Sequence, residues 1–531
     1  MKKKWILLYG LVTLLFLSAL WGYRHYQAAN FAPESSAQTI ALMPLDSRPC
    51  NTQYPQVLSQ MAGWRVIMPP ADALDDFLRP ADSEALWQWL EEASSQSQKL
   101  IIFTNELFNG GLIHSRSSQN YADTDAQLQR LEAFLAAHPQ QEVTLITILP
   151  RLKPSQFDET LWPYEVELTQ WGQALDQAAA QNLPQPAAPA DVPAEAAQAY
   201  LALFDHSRQL AEGLTHLAQS GAAKRVIIGQ DDAETWCPSN IIYRDLQARE
   251  IENLTLIRGA DELTMLLIAD TVNTQPPLGV RIIYTDPALA ESYFPYEAAP
   301  LQELVAEKLA LAGLTEDPDS NWTILIHTAA QAADTLPPLL TAHQDDAYLG
   351  LADIAYTNKG DEALYDWLSE PSVQDRLNCY AGWNTAGNSL GTVFAHCRLS
   401  QELLTQYPWL NSQHRQSALQ ALQTFKTIRF VEDQIYQAQL SNPLRTDLQS
   451  WDLMHYTNAF LPGRRQDAQS LLDSRFAPYQ ASLVSLFAGE HHLILGSRQI
   501  TYTISQFQCA LNFPWNRAFE VLVHCSFELT L

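Results

Sequence analysis

Asp231 and Asp232 stand side by side where an apolar run, RVIIG over 225–229, comes to an end. Aspartate is a poor strand residue, so a pair of them closing a strand either starts a turn or serves a ligand. Two carboxyls can do proton chemistry when their environments differ, one staying ionised while the other holds a proton near neutral pH. Neighbouring strand residues face opposite sides. Both can therefore reach one ligand only if the chain turns at Asp231, as Ala233-Glu234-Thr235 suggests. The same pair joined by Asp46 could hold Mg²⁺ or Ca²⁺ through hard oxygen ligands. No histidine pair and no His-Glu-x-x-His accompanies them. Gly387-Asn388-Ser389-Leu390-Gly391 fits G-x-S-x-G, with Asp433 and His491 or His492 downstream in the order a hydrolase triad needs. The preceding strand ends near Trp383, too early for a nucleophile elbow. The segment reads instead as small residues opening a helix capped by Asn384 or Thr385.

These side chains need elements to hold them. From Ile40 onward, apolar β-rich runs alternate with helical patterns: IALMPL, WRVIMP, KLIIFT, VTLITIL, RVIIG, LTLIRG, VRIIYT, WTILIHT, YLGLADIAY and NCYAGW. Runs so evenly apolar suit strands covered on both faces, so a parallel sheet with crossover helices is predicted, an α/β fold. At least seven such steps precede residue 330, which favours closure into a (β/α)-barrel. A doubly wound open sheet, or two α/β units, is the alternative. The α/β domain is placed at 39–400, with a Pro/Ala-rich insertion at 183–198, a helical segment at 401–485 and a C-terminal β-domain at 486–531. Polar residues gather at the strand ends: Asp46 and Arg48, Asn105 and Glu106, Arg151, Asp231 and Asp232, Asp261, Asp286, His327 and Asn384. Carboxyl ends of parallel strands share one edge, where ligands bind, so one ring of polar groups is expected. Asp261 and Asp286 are read as helix caps. Arg48 beside Asp46 on a short turn is costly to bury without a partner or ligand.

Five blocks, ALMPLDSRPCN, NELFNGGLIHSR, QDDAETW, YAGWNTAGNSLG and FPWNRAFEV, follow in order from about Ile40 to Glu528. In these the sequence resembles the bacterial domain of unknown function 4127 family. The resemblance implies no activity. It picks out Asp46, Arg48, Pro49, Gly110, Gly111, Arg116, Asp231, Asp232, Trp383, Asn384 and Asn388, with Trp515, Asn516 and Arg517. The last three read as a lock holding the terminal β-domain to the main body, with Arg517 able to reach the cleft. The acid pair is also similar to what substrate-assisted glycosidases place under an N-acetylated sugar, where one carboxyl orients the acetamido group and its neighbour is the acid/base. On that reading Asp231 and Asp232 are catalytic. Asp46, Arg48, Asn105, Glu106, Arg116, Trp383, Asn384 and Asn388 bind a small-molecule or glycan ligand, and no cofactor is needed. The alternatives are a non-catalytic ligand-binding or scaffolding protein and the metal-assisted hydrolase.

Composition narrows the setting. The 531 residues are 47% hydrophobic with 14 Trp, which argues for a globular chain. The formal charge of −27 disfavours nucleic acid and anionic lipid surfaces. Trp5 to Tyr23 carries no charge and follows Lys2-Lys3-Lys4. It reads as an uncleaved transmembrane signal anchor over 1–24, followed by a stalk at 25–38, with the bulk of the chain outside the cytoplasm. Six widely spaced cysteines, without C-x-x-C, permit disulfides but do not fix their pairing.

Overall fold

The computed structural model describes residues 38–117, 123–449, 459–460 and 463–531. The expected anchor, and the stalk up to residue 37, lie outside the described residues. Strands β1 (Thr39–Met43), β2 (Arg65–Ile67), β3 (Lys99–Phe103), β4 (Glu142–Leu149), β5 (Arg225–Gln230) and β6 (Leu254–Arg258) form one sheet. A second sheet contains β7 (Leu278–Tyr284), β8 (Leu314–Glu316), β9 (Trp322–His327), β10 (Tyr348–Asp353) and β11 (Cys379–Ala381). Every pairing in both is parallel. The α/β class stands, but no barrel closes. The orders are β2-β1-β3-β4-β5-β6 and β11-β10-β9-β7-β8. In each, the first strand pairs with the second on one side and the third on the other, so the same doubly wound pattern occurs twice. The barrel expectation fails because counting βα steps does not reveal that the series restarts at β7.

The alternation of each strand explains how the two sheets stay in place. Ala41, Met43, Leu100, Ile102 and Leu145 face a core shared with the outer helices, among them Ala194–Gln219. Ile40, Leu42, Ile101, Phe103 and Ile146 face the other way, into a core that also holds Ile324, Leu325, Leu349 and Leu351 of the second sheet. Between them lies Leu263–Val272, LTMLLIADTV, a helix buried from Leu263 to Ala269, with Asp270 reaching the surface near its end to pair with Arg225. It packs on helices Gln53–Met61 and Ala386–Gln406. One continuous apolar core therefore fixes both sheets relative to each other.

Residues 183–193 of the expected insertion are irregular, and a 26-residue helix starts at Ala194 directly after Pro193. The helical segment includes Ser412–Arg429 and continues through a π-helix, Phe430–Leu440. The C-terminal β-domain is a three-stranded antiparallel sheet of β12 (Gly489–Leu495), β13 (Arg498–Asn512) and β14 (Leu522–Thr530). All six cysteines are free thiols, and Cys509 and Cys525 are direct cross-strand partners with sulfurs 3.9 Å apart.

Candidate functional site

A polar cavity of about 250 Å³ opens between the carboxyl edges of the two sheets. One wall comes from the ends of β1, β4, β5 and β6, and the other from Glu297, Asn384, Thr385 and Asn388. Arg517 and Phe519 close one side.

The acid pair sits where β5 leaves the sheet. The Asp231 amide still donates to the Leu149 carbonyl (3.1 Å), so Asp231 extends the strand by one residue. The chain then turns, and the carbonyl of Asp232 accepts from Leu152. That turn sends the two carboxylates to different partners. Asp231 is buried and accepts both Nε and Nη2 of Arg116, at 2.7 and 2.8 Å. Asp232 keeps 31% of its side chain exposed, and its nearest cation, Nη1 of Arg151, is 3.7 Å away. Burial and then the Asp231 charge push the Asp232 carboxyl up to about 6, against the opposing pull of Arg116 and Arg151. A second acid of the cavity, Glu297, accepts from the Gly387 amide (2.8 Å) and is raised to about 7, chiefly by burial. Two carboxyls that change protonation near neutral pH thus share one cavity.

Arg48 is fixed from two sides. Its Nε donates to Asp46 (2.8 Å), and its Nη1 and Nη2 donate to Asp261 (3.0 and 2.5 Å). Asp261 therefore does not cap the helix that follows it, and the capping expectation is corrected. Asp286 does cap, accepting from the Ala288 amide. Asn384 reaches Asp261 from the second sheet (3.4 Å) with a left-handed backbone, φ +52°, which asparagine tolerates better than most residues.

A family model described as a protein of unknown function, DUF4127, matches residues 40–524. The chain belongs to the DUF4127 family. Neither a curated protein nor a solved structure matches it. In this DUF4127 chain, six of the ten residues expected at the site line the cavity: Arg48, Arg116, Asp231, Asp232, Asn384 and Asn388. Asp46 stands behind Arg48 and accepts from its side chain, its amide and Asn51. Asn105 lies elsewhere and ties the ends of β3 and β4 together by accepting from the Ile148 amide (2.9 Å). Glu106 accepts from the Asp75 amide (2.9 Å), also away from the cavity. Trp383 is enclosed between Tyr54 and Arg429, with its indole N–H on Thr392. Asn388 lines the cavity, yet its amide is occupied by Thr385 and Glu262.

Neither remaining constellation assembles. Ser389 is buried, its hydroxyl accepts from the Trp383 amide and donates to the Trp383 carbonyl, and it lies in the first turn of Ala386–Gln406. Asp433 accepts from Gly382, and His491 is paired with Asp375. Asp46 and Asp231 are each taken up by an arginine. Among the described residues no group of three His, Cys, Asp or Glu side chains could hold a metal ion. Sequence reasoning passed over Glu297 and Arg258, which lie in no motif, and used Arg151 only as a strand-end marker. Trp515 locks as expected, donating to Ser47 Oγ at 2.7 Å, and Arg517, paired with Glu520, does reach the cavity.

Proposed function

We propose that this chain is a glycoside-hydrolase-type acid/base enzyme, with Asp232 as the proton donor and Asp231 as the group that orients the substrate. One observation carries the reading: two adjacent carboxyls at one strand end lie in opposite environments, Asp231 paired at two points and Asp232 held near pKa 6. A general acid needs a pKa near its working pH. Asp232 would protonate the glycosidic oxygen as the C–O bond breaks. The resulting carboxylate would then take a proton from the water that completes hydrolysis. Each Asp231 oxygen can accept a second hydrogen bond beside Arg116, which suits an acetamido N–H. A cavity of about 250 Å³ lies below the usual range for drug-sized ligands, so it suits one sugar unit or a small polar molecule. The reading includes membrane anchoring through residues 1–24, with the bulk of the chain extracytoplasmic.

Turnover of chromogenic N-acetylhexosaminides by wild type and Asp232→Asn tests it. Loss of at least about 100-fold in kcat is expected for the variant. A second reading, retention of a ligand without turnover, is favoured by the placement of the cavity between two α/β units. Ligand binding equal in both proteins with no turnover in either would select it and sink the hydrolase.

A further inference from the structure

The cavity contradicts the charge of the chain around it. A protein of formal charge −27 has five guanidinium groups and no lysine in this wall. Four are answered by carboxylates: Arg48 by Asp46 and Asp261, Arg116 by Asp231, Arg258 by Glu307 and Arg517 by Glu520. Arg151 differs. Its Nε donates to the Lys153 carbonyl (3.0 Å) and its Nη2 to the Pro154 carbonyl (3.5 Å). Carbonyl oxygens orient the plane of a guanidinium but leave its charge whole. Among the described residues its only carboxylate within 4 Å is Asp232, at 3.7 Å and outside hydrogen-bond reach.

We propose that Arg151 binds an anionic group of the ligand, a carboxylate or sulfate oxyanion, beside the acid Asp232. This rests on the cavity being the substrate site. An arginine keeps its proton at any working pH, and a largely enclosed cation without a counterion is costly. When Asp232 is protonated, the carboxylate left near Arg151 is Asp231, which lies beyond 4 Å and is already held by Arg116. A bound oxyanion completes the pair, with Nη1 as the donor still available. It also places a negative charge near Asp232, and a like charge disfavours ionisation of a carboxyl. Occupancy of the Arg151 subsite therefore loads the proton that the reaction uses. The substrate class narrows to a sugar or similar small molecule that carries an acidic group, an acidic N-acetylated sugar included, in preference to its neutral counterpart.

Binding of glucuronate, glucose and inorganic sulfate, followed by calorimetry and thermal shift, tests the subsite in wild type, Arg151→Lys, Arg151→Gln and Asp232→Asn. Glucuronate and sulfate should bind wild type and raise its melting temperature, whereas glucose should not. Arg151→Gln should lose at least tenfold in affinity for both anions, and Arg151→Lys should retain part of it. Asp232→Asn should bind glucuronate at least as tightly as wild type, because it removes the carboxylate competing for Arg151. Glucose binding wild type as well as glucuronate does, or neither anion binding, would overturn the proposal even if Arg151→Gln failed to fold. Equal anion affinity in a folded Arg151→Gln would do the same. Undiminished turnover in Asp232→Asn would remove the acid role and leave the anion site standing, so the two readings fail separately.

Discussion

At the scale of single residues, Asp232 and Arg116 carry distinct predictions. On the proposed role as proton donor Asp232 works in its protonated form, so turnover should be level at low pH and fall about tenfold per unit above pH 6. The same carboxyl affects stability. Its folded pKa lies above its unfolded value, so its contribution is present below the unfolded pKa and is lost as pH rises through about 6. Asp232→Asn should therefore gain stability over wild type between pH 4 and pH 7. Solvent at its exposed third limits the gain to about 1 kcal/mol. Denaturant midpoints at both pH values would check the sign. Arg116 is different, because removing it strands Asp231 as an enclosed anion. Arg116→Met should cost about 3 kcal/mol. The double variant Arg116→Met/Asp231→Asn should cost less, since it leaves no unpaired charge. Equal costs for the single and double variants would refute the pairing.

At the scale of elements, the turn after β3 holds Arg116 in position. Gly110 and Gly111 both have positive φ, +80° and +112°, between helices Thr104–Asn109 and Leu112–Ser115. A Cβ on Gly111 would lie 2.8 Å from Asp75 Oδ2 and 3.0 Å from Glu106 Oε2. Those two oxygens have no hydrogen-bond partner among the described residues, and burial raises both carboxyls well above their ordinary values. Gly111→Ala should therefore destabilise by about 2 kcal/mol or more through backbone strain alone, and should also weaken turnover by shifting Arg116. A thermal melt paired with an activity assay would read both effects. This also explains why Glu106 looked like a site residue: its block is prominent in the sequence because it builds the turn that carries Arg116, while the carboxyl itself supports that turn.

At the scale of the whole molecule, the anchor reading makes a prediction about location and chemistry together. The full chain should pellet with membranes, whereas a chain starting at residue 38 should stay in the soluble fraction with the described fold. Cys509 and Cys525 are cross-strand partners separated by 16 positions in sequence. In the full chain isolated from membranes, peptide mapping under non-reducing conditions should find them joined. In the truncated chain made in the cytoplasm, alkylation should find both thiols free. A soluble full chain would refute the anchor, and thiols free in both preparations would refute the extracytoplasmic placement. Among the described residues no helix is long and apolar enough to cross a membrane, so the prediction rests on residues 1–24 alone.

The strands and their ends were legible in the amino-acid order, because a strand buried on both faces must be apolar throughout and must stop at a polar turn. The ten apolar runs form ten strands, and among the described residues of the two parallel sheets only the three-residue β8 lies outside them. The acid pair was legible for the same reason. What the order of residues left undecided was closure and convergence. A parallel strand pairs through its backbone, so nothing in VRIIYT marks it as the start of a new sheet rather than the seventh stave of a barrel. Asp261 read as a cap because a cap and an ion-pair partner have the same local sequence; only the arrival of Arg48, 213 positions away, distinguishes them. Glu297 was invisible for the same reason, since the amide that holds its carboxylate comes from Gly387, 90 positions away. Sequence by itself therefore determined the elements, the family and the paired aspartates, all of which are local patterns. The tertiary structure decided that two sheets turn their carboxyl edges toward one cavity, and which charges there are already answered, because burial and pairings such as Arg48–Asp261 and Arg116–Asp231 join segments far apart in the chain.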